Sequence, residues 1–300
     1  MNDSWITEVH QELLRLRERG PGWGNRPGGT RYVEPTALSA LALSASTPAA
    51  DVERSRHAVD EAADWLARLQ QADGGLGLAP DIPRPRWTTP LAILVWLGTG
   101  RCAESNRKAV DWLLAQEGTT WSPTPDSPYG HDTRLRGWAW VDNTHSWLEP
   151  TALAVLALKC AGKGSAARTR DGLSLIRDRA IRTGGWNYGN SAVFGADLRP
   201  QPAPTGLALL ALVGAEDVDS PLVKLGCDYL EAILPGTHAA QSLCFGTLAL
   251  AAWQRRPGEA DQWLIAARQS AARRSNAVSQ LAYLLLAAGS RALELLGTKS

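Results

Sequence analysis

The feature that most constrains the fold of this chain is a recurring apolar run that begins at a threonine, usually after a proline. Alanine, leucine and valine fill nearly every following position, which predicts helices that are buried on all sides. Recurrence at intervals of tens of residues is typical of a repeat architecture, in which each unit buries a face that it cannot bury alone. The copies begin at Thr36, Thr89, Thr151 and Thr205.

A second kind of segment alternates with these runs and has apolar residues at helical spacing opposite a charged face. These amphipathic segments cover residues 6–16, 58–71, 106–116, 168–182, 221–234 and 259–272. Two more apolar segments, 242–253 and 276–288, lack the Pro-Thr opening but have the composition of buried helices. Six amphipathic helices alternating with six buried ones predict an all-α fold, a single (α/α)6 toroid of about twelve helices over residues 1–300.

Bulk composition narrows the classes of function. The net charge of +1 gives no electrostatic reason to expect nucleic-acid binding. Four widely spaced cysteines without a C-x-x-C pair are typical of small buried residues in a reducing compartment. No apolar run reaches the roughly 18 residues of a membrane span. We expect a cytoplasmic protein, peripheral to a membrane at most.

Tryptophan is strongly over-represented, with 13 residues against two phenylalanines. Indole offers the largest aromatic face and the strongest attraction for a cation, so this skew indicates a positional role. Loops rich in glycine and tryptophan precede the buried helices and therefore share one end of the ring. Function is expected at that end or in the hole beneath it.

Residues 64–75 and 111–118 closely resemble the repeat shared by squalene–hopene cyclases, class II terpene cyclases and the β-subunits of protein prenyltransferases. The resemblance implies the α/α toroid. In the prenyltransferase branch an Asp-x-Cys pair and a later histidine bind zinc, but here Leu225 precedes Cys227 in place of the aspartate and no histidine follows His238. Leucine cannot ligate zinc, so we expect Cys227 to be a core residue, with no metal and no cofactor.

The class II cyclase branch implies an activity. Those enzymes protonate an alkene with the middle Asp of Asp-x-Asp-Asp-Thr-Ala, and matching on Thr-Ala places Glu149 and Glu34 at that position, although the full motif is missing. The resemblance implies a terpene cyclase-like isomerase that protonates a hydrophobic isoprenoid and stabilises the carbocation with tryptophan. Asp217 to Ser220 looks similar, but it opens an outer helix and is interpreted as a cap with Ser220 or Asp219.

Candidate site residues concentrate in the longest insertion, 117–149, at the mouth of the ring. Glu149 or Asp142 is the predicted general acid, and His145 would orient or reprotonate it. Predicted substrate-binding residues are Trp138, Trp140, Trp147, Trp121, Trp186, Tyr188, Trp87 and Glu34.

An alkene is a weak base, so its protonation needs a neutral carboxylic acid in a dry site. A carboxylate at a helix N-terminus is stabilised in its charged form, which lowers its pKa. Desolvation, or a second carboxylate such as Asp142, must therefore outweigh the helix for Glu149 to act as an acid.

Other interpretations remain open. Glu34 and Glu149 could bond backbone N–H groups of neighbouring repeats, and a hydrolase or lyase would need two carboxylates facing one cavity. A non-catalytic toroid would instead bind a lipid or a protein partner, or a second copy of itself, on its tryptophan-rich rim. A metal site would draw on His131, Asp132, His145 and Asp142, and Arg134 with Arg136 could meet a diphosphate.

Overall fold

The computed structural model describes residues 4–17, 20–124, 126–271 and 273–298. Its outer helices are amphipathic, each with one buried face. They are α1 (Ser4–Leu16), α3 (Val52–Leu69), α5 (Ala103–Ala115), α7 (Ala167–Asp178), α9 (Pro221–Ile233) and α11 (Ala260–Ala271). The inner helices, α2 (Val33–Ala45), α4 (Thr89–Thr99), α6 (Leu148–Cys160), α8 (Pro202–Leu212), α10 (Ala240–Ala252) and α12 (Ala277–Ala288), are buried almost throughout.

Each inner helix contacts the next along the chain, and α12 returns to contact α2, so the inner layer is a closed ring. The outer helices pack around it. The predicted all-α toroid is confirmed. Short 3-10 helices occur at Ala49–Asp51 and Leu234–Gly236, and an antiparallel pair, β1 (Ala192–Val193) and β2 (Ala196–Asp197), projects from the loop before α8.

The recurring threonine has a structural purpose. Oγ1 of Thr151 accepts the backbone N–H of Trp138 at 2.9 Å and donates to its carbonyl at 3.3 Å, while the indole N–H of Trp138 donates to the Leu113 carbonyl of α5 at 2.9 Å. We call this arrangement the threonine latch, because it joins an inner helix, the preceding loop and an outer helix. Its other tryptophan copies are Thr36–Trp23–Leu13 and Thr205–Trp186–Ile176.

The glycine before each latch tryptophan is explained by the same contact. A Cβ on Gly137 would overlap Oγ1 of Thr151. In the looser copy Leu76 replaces tryptophan, and only its backbone N–H bonds Thr89, at 3.0 Å. The Gly-Trp pair and the threonine therefore act as one unit in the three latches that contain tryptophan, at α2, α6 and α8. We call the boundary that a latch spans, between an inner helix and the outer layer, a seam.

The C-terminal ends of the inner helices meet a short helix, α13 (Ala292–Leu295). It contacts α2, α4, α10 and α12, and Sγ of Cys160 on α6 lies 3.7 Å from the Leu295 carbonyl. This end of the ring is therefore covered, and the loop-bearing end is its mouth.

Three further sequence predictions concern the cysteines, the start of α9 and the length of the apolar helices. All four cysteines are free thiols, and Cys227 is buried in the core as predicted. The predicted cap of α9 is wrong: Ser220 precedes the helix but makes no side-chain capping bond, and Asp219 instead pairs with Lys224 at 2.7 Å. No helix in the described part of the chain is long and apolar enough to cross a membrane.

Candidate active site

Two glutamates lie at the mouth of the ring, at equivalent positions of their repeats. The centre of the ring, which the six inner helices surround, is called the bore below. Glu34 lies in the first turn of α2 and Glu149 in the first turn of α6, each two residues before its latch threonine. The hydroxyl of Tyr283, on α12, donates to Oε1 of Glu34 at 3.5 Å. Burial raises the pKa of Tyr283, and the charges of Glu34 and Glu149 both add to that rise.

Burial dominates the electrostatics of Glu149, which is only 7% exposed. Loss of hydration, with a second contribution from the charge of Glu34, raises the pKa of Glu149 to about 7. Among the residues that the structure describes, none donates a hydrogen bond to this carboxyl group. The second carboxylate that raises the pKa of Glu149 is therefore Glu34 rather than Asp142.

Glu34 differs from Glu149 by one contact. Burial raises the pKa of Glu34 as well, but the hydrogen bond from Tyr283 acts in the opposite direction. A hydrogen bond donated to a carboxylate favours its charged form. When Glu34 and Glu149 together hold a single proton, that proton is therefore expected on Glu149.

Several aromatic side chains lie near the starts of the inner helices or pack against Tyr283. Phe245 of α10 lies 5.5 Å from Tyr283 between ring centroids. Trp87 precedes Thr89 by two residues, the position that the glutamates hold in the neighbouring repeats, and it packs edge-on against Trp140 at 4.8 Å. Tyr188 is partly exposed at the mouth, and its pKa is raised by burial and then by Glu149. We call this set, Glu34, Glu149, Trp87, Trp140, Tyr188, Phe245 and Tyr283, the mouth cluster.

The structure gives Asp142 another role. Its Oδ2 lies 2.9 Å from Nη2 of Arg86 and 3.7 Å from Nε of Arg84, and Arg86 also pairs with Asp73. The Asp142 carboxylate is therefore engaged by two guanidinium groups of the loop before α4 and not by Glu149 or His145. This ion-pair network ties the insertion to the loop before α4.

Two predicted wall residues face away from the bore. Trp138 lies against Gly172 and Arg168 of α7, with the guanidinium carbon 3.7 Å from its ring centroid. Trp186, fully buried, packs against Gly226 of α9. Because their indole N–H groups bond outer-helix carbonyls, these tryptophans belong to the latches and not to a substrate wall.

His145 does not bond Glu149. Its ring lies 4.6 Å from that of Trp147 and 6.4 Å from that of Trp121, within a separate pocket of the insertion. Burial, and then the charge of Arg179, lowers the pKa of His145. His145, predicted to orient or reprotonate the acid, instead lines this pocket together with Trp147 and Trp121.

The metal and diphosphate alternatives gain no support. No group of three metal-ligating side chains occurs among the residues that the structure places. Arg134 pairs with Asp132 at 2.9 Å, and Arg136 pairs with Glu117 at 2.9 Å, both near the surface.

Sequence reasoning missed Phe245 and Tyr283. Both come from helices without the Pro-Thr opening, so the repeat alignment did not reach them. The rarity of phenylalanine was the available signal, because one of only two lies on an inner helix.

No protein-family model and no curated protein matches this chain. Solved structures do. The apo type II terpene cyclase MstE from Scytonema aligns over 91% of this chain and 79% of its own, with 16% identity and a TM-score of 0.59. The fold is the α/α toroid of the type II terpene cyclases.

Other solved structures share this fold. A variant of the same cyclase, in complex with its substrate geranylgeranyl dihydroxybenzoate, has a TM-score of 0.58 at 15% identity over 94% of this chain and 77% of that one. A glycosidase variant has a TM-score of 0.55 at 14% identity, over 99% of this chain and 97% of that one. The toroid therefore occurs with more than one chemistry.

Proposed function

We propose that this chain is a terpene cyclase-like enzyme that protonates a hydrophobic isoprenoid through Glu149. The observation that carries the proposal is a buried carboxyl group without hydrogen-bond donors, with its pKa raised to about 7, in the first turn of an apolar inner helix at the loop-bearing end of the ring. Such a group is protonated in a large fraction of molecules at neutral pH, which an acid for alkenes requires.

The mouth cluster supplies the remaining chemistry. Glu149 transfers its proton to one carbon of an alkene, the π electron pair forms the new C–H bond, and the other carbon becomes a cation. The aromatic faces of Trp87 and Tyr283 stabilise that charge. Loss of a proton from a neighbouring carbon to Glu34 or water re-forms a double bond, so the overall change is an isomerisation.

The test is incubation with geranyl, farnesyl and geranylgeranyl compounds and squalene in D2O. An acid-initiated reaction incorporates deuterium at the carbon that accepts the proton. Glu149→Gln should abolish product, because the amide holds no transferable proton. Glu53→Gln is the matched control, since Glu53 occupies the first turn of α3 but is exposed.

Asp142→Asn separates the two acids of the sequence prediction. Turnover that survives this change but not Glu149→Gln assigns the proton to Glu149. Equal turnover in Glu149→Gln and the wild type would refute the proposal. Failure of every isoprenoid to react would favour a toroid that binds a lipid or a protein partner without catalysis.

A second candidate is general acid–base cleavage of a glycoside. The observation in its favour is that two buried carboxyl groups, one of them with a pKa near neutrality, face the same bore. The similar glycosidase structure, matched over nearly its whole length, gives this candidate a context. Release of a reducing sugar from oligosaccharides, lost in both Glu34→Gln and Glu149→Gln, would select it over the cyclase.

A further inference from the structure

The insertion and the loop after α7 enclose a second pocket of about 260 Å³, which the proposed function does not use. One wall is a continuous series of five rings: Trp147, His145, Trp121, Tyr129 and His131. Each ring centroid lies between 4.6 and 6.4 Å from the next. Trp121 meets both His145 and Tyr129 edge-on, at interplanar angles of 82° and 63°, so the series offers ring faces and ring edges to an aromatic guest.

The pocket also contains a buried cation. The side chain of Arg179 is 4% exposed, and its Nη1 donates to the Asp132 carbonyl at 3.3 Å and pairs with Asp178. Its Nε is buried and has no hydrogen-bond partner among the residues that the structure describes. A buried donor without a partner is unfavourable, and Arg179 lines the pocket, so an anion there would gain a charge-assisted partner.

His131 presents a second group of the same kind. Its Nδ1 is buried and has no partner in the described part of the chain. Burial, followed by the charge of Arg179, lowers the pKa of His131 to about 4, so the imidazole is neutral at physiological pH. A neutral imidazole can carry its proton on Nδ1 and donate it to an acceptor.

The charges around Arg179 limit the ligand to a single negative charge. Asp178 already neutralises part of the guanidinium charge, and Asp132 is occupied by Arg134. A dianion would lack compensation here, whereas a carboxylate matches the planar geometry of a guanidinium group. The volume lies just below the range of about 300–1,000 Å³ that holds drug-sized molecules, which favours a ligand of one or two rings.

We propose that this pocket binds a small aromatic carboxylate, with its ring against Trp121 and Tyr129 and its carboxylate on Arg179 and His131. The site is distinct from the mouth cluster. It gives the insertion a function of its own.

The first experiment titrates the full chain with indole-3-carboxylate, followed by calorimetry and tryptophan fluorescence. The neutral analogue indole-3-carboxamide and inorganic phosphate are the comparison probes. We expect the acid to bind at least about tenfold more tightly than the amide, because the charge-assisted bond to Arg179 is lost. Equal affinity of acid and amide, tighter binding of phosphate, or no binding of the acid would overturn the proposal.

The second experiment uses variants. Arg179→Gln and Trp121→Ala should each weaken binding of indole-3-carboxylate by at least about tenfold. Trp121 is 40% exposed, so its removal tests the site even if Arg179→Gln does not fold. Phe194→Ala is the matched control, because Phe194 is an aromatic residue beside the insertion that is 85% exposed.

Unchanged affinity in Trp121→Ala, or an equal loss in Phe194→Ala, would count against the site. Thermal unfolding of each variant checks that it is folded. The readout here is binding, whereas the cyclase proposal is read by turnover, so either proposal can fail alone.

Discussion

Thr151 and Glu149 lie two residues apart on α6, and they face opposite layers of the ring. Thr151 bonds the backbone of Trp138 and joins the inner helix to the outer layer. Glu149 faces the bore, where it has lost water and gained no donor. At the seam, the Thr151 hydroxyl bonds both the N–H and the carbonyl of Trp138, whereas at the mouth none of the described residues donates a hydrogen bond to Glu149. This difference separates a structural site from a reactive one.

The largest effect is expected when the seam is opened at Trp186. Trp186→Ala removes a fully buried indole and its hydrogen bond to the Ile176 carbonyl. The free energy of unfolding should therefore fall by about 3–5 kcal/mol. Chemical denaturation measures this change. The exposed Phe194→Ala is the control, and a loss below about 1 kcal/mol at Trp186 would contradict the role of the latch tryptophan.

Glu149→Gln should raise the free energy of unfolding at and above neutral pH, whereas Trp186→Ala lowers it. The pKa of Glu149 rises from an ordinary 4.5 to about 7 on folding, so the folded state holds its proton more tightly than the unfolded state does. The free energy of unfolding should therefore fall as pH rises from about 4.5 to 7, by up to about 3 kcal/mol, and stay level above.

In Glu149→Gln this pH-dependent loss should shrink, and above pH 7 the variant should be more stable than the wild type. Denaturation at a series of pH values tests the sign. Glu53→Gln should follow the wild-type curve. A variant that is less stable than the wild type at every pH would show that the carboxylate is structurally required.

Thr151→Val tests the hydrogen bonds of the latch without creating a cavity. The substitution keeps the shape but removes both hydrogen bonds to Trp138, whose backbone N–H is left buried. The expected cost is about 2 kcal/mol. Thr120→Val, at an exposed position, should change stability by less than about 0.5 kcal/mol, and an equal effect at both positions would refute the latch.

The smallest effect is expected at Asp142, between the two regions. Asp142→Asn weakens one ion pair of Arg86 but leaves Asp73 in place. A loss of about 1 kcal/mol with the thermal transition otherwise unchanged fits a partly buried pair. A loss of several kcal/mol would mean that the insertion depends on this one carboxylate.

Much of the fold follows from local sequence because the repeats are local. The threonine runs predict α2, α4, α6 and α8, and the repeat position of Glu149 predicts its place at the mouth. Composition alone was enough for α10 and α12, which lack the threonine opening.

The site was harder to predict because its decisive contacts join distant residues. Asp142 meets Arg86 across 56 residues, and Tyr283 meets Glu34 across 249. The direction of an indole is also invisible in sequence, so Trp138 and Trp186 looked like mouth residues although they fasten the outer layer. Only the packed ring shows which face each side chain takes.

The threonine latch has a consequence for how such rings diversify. Its hydrogen bonds need only the threonine, a backbone amide and an indole, so they place few demands on the residues between. The tryptophan and threonine are 13 residues apart in two seams and 19 in a third, yet the same bonds form. Loops of different length can thus connect the same helices while the ring of inner and outer helices keeps its geometry. New chemistry can be acquired in those loops without a change in the helical ring.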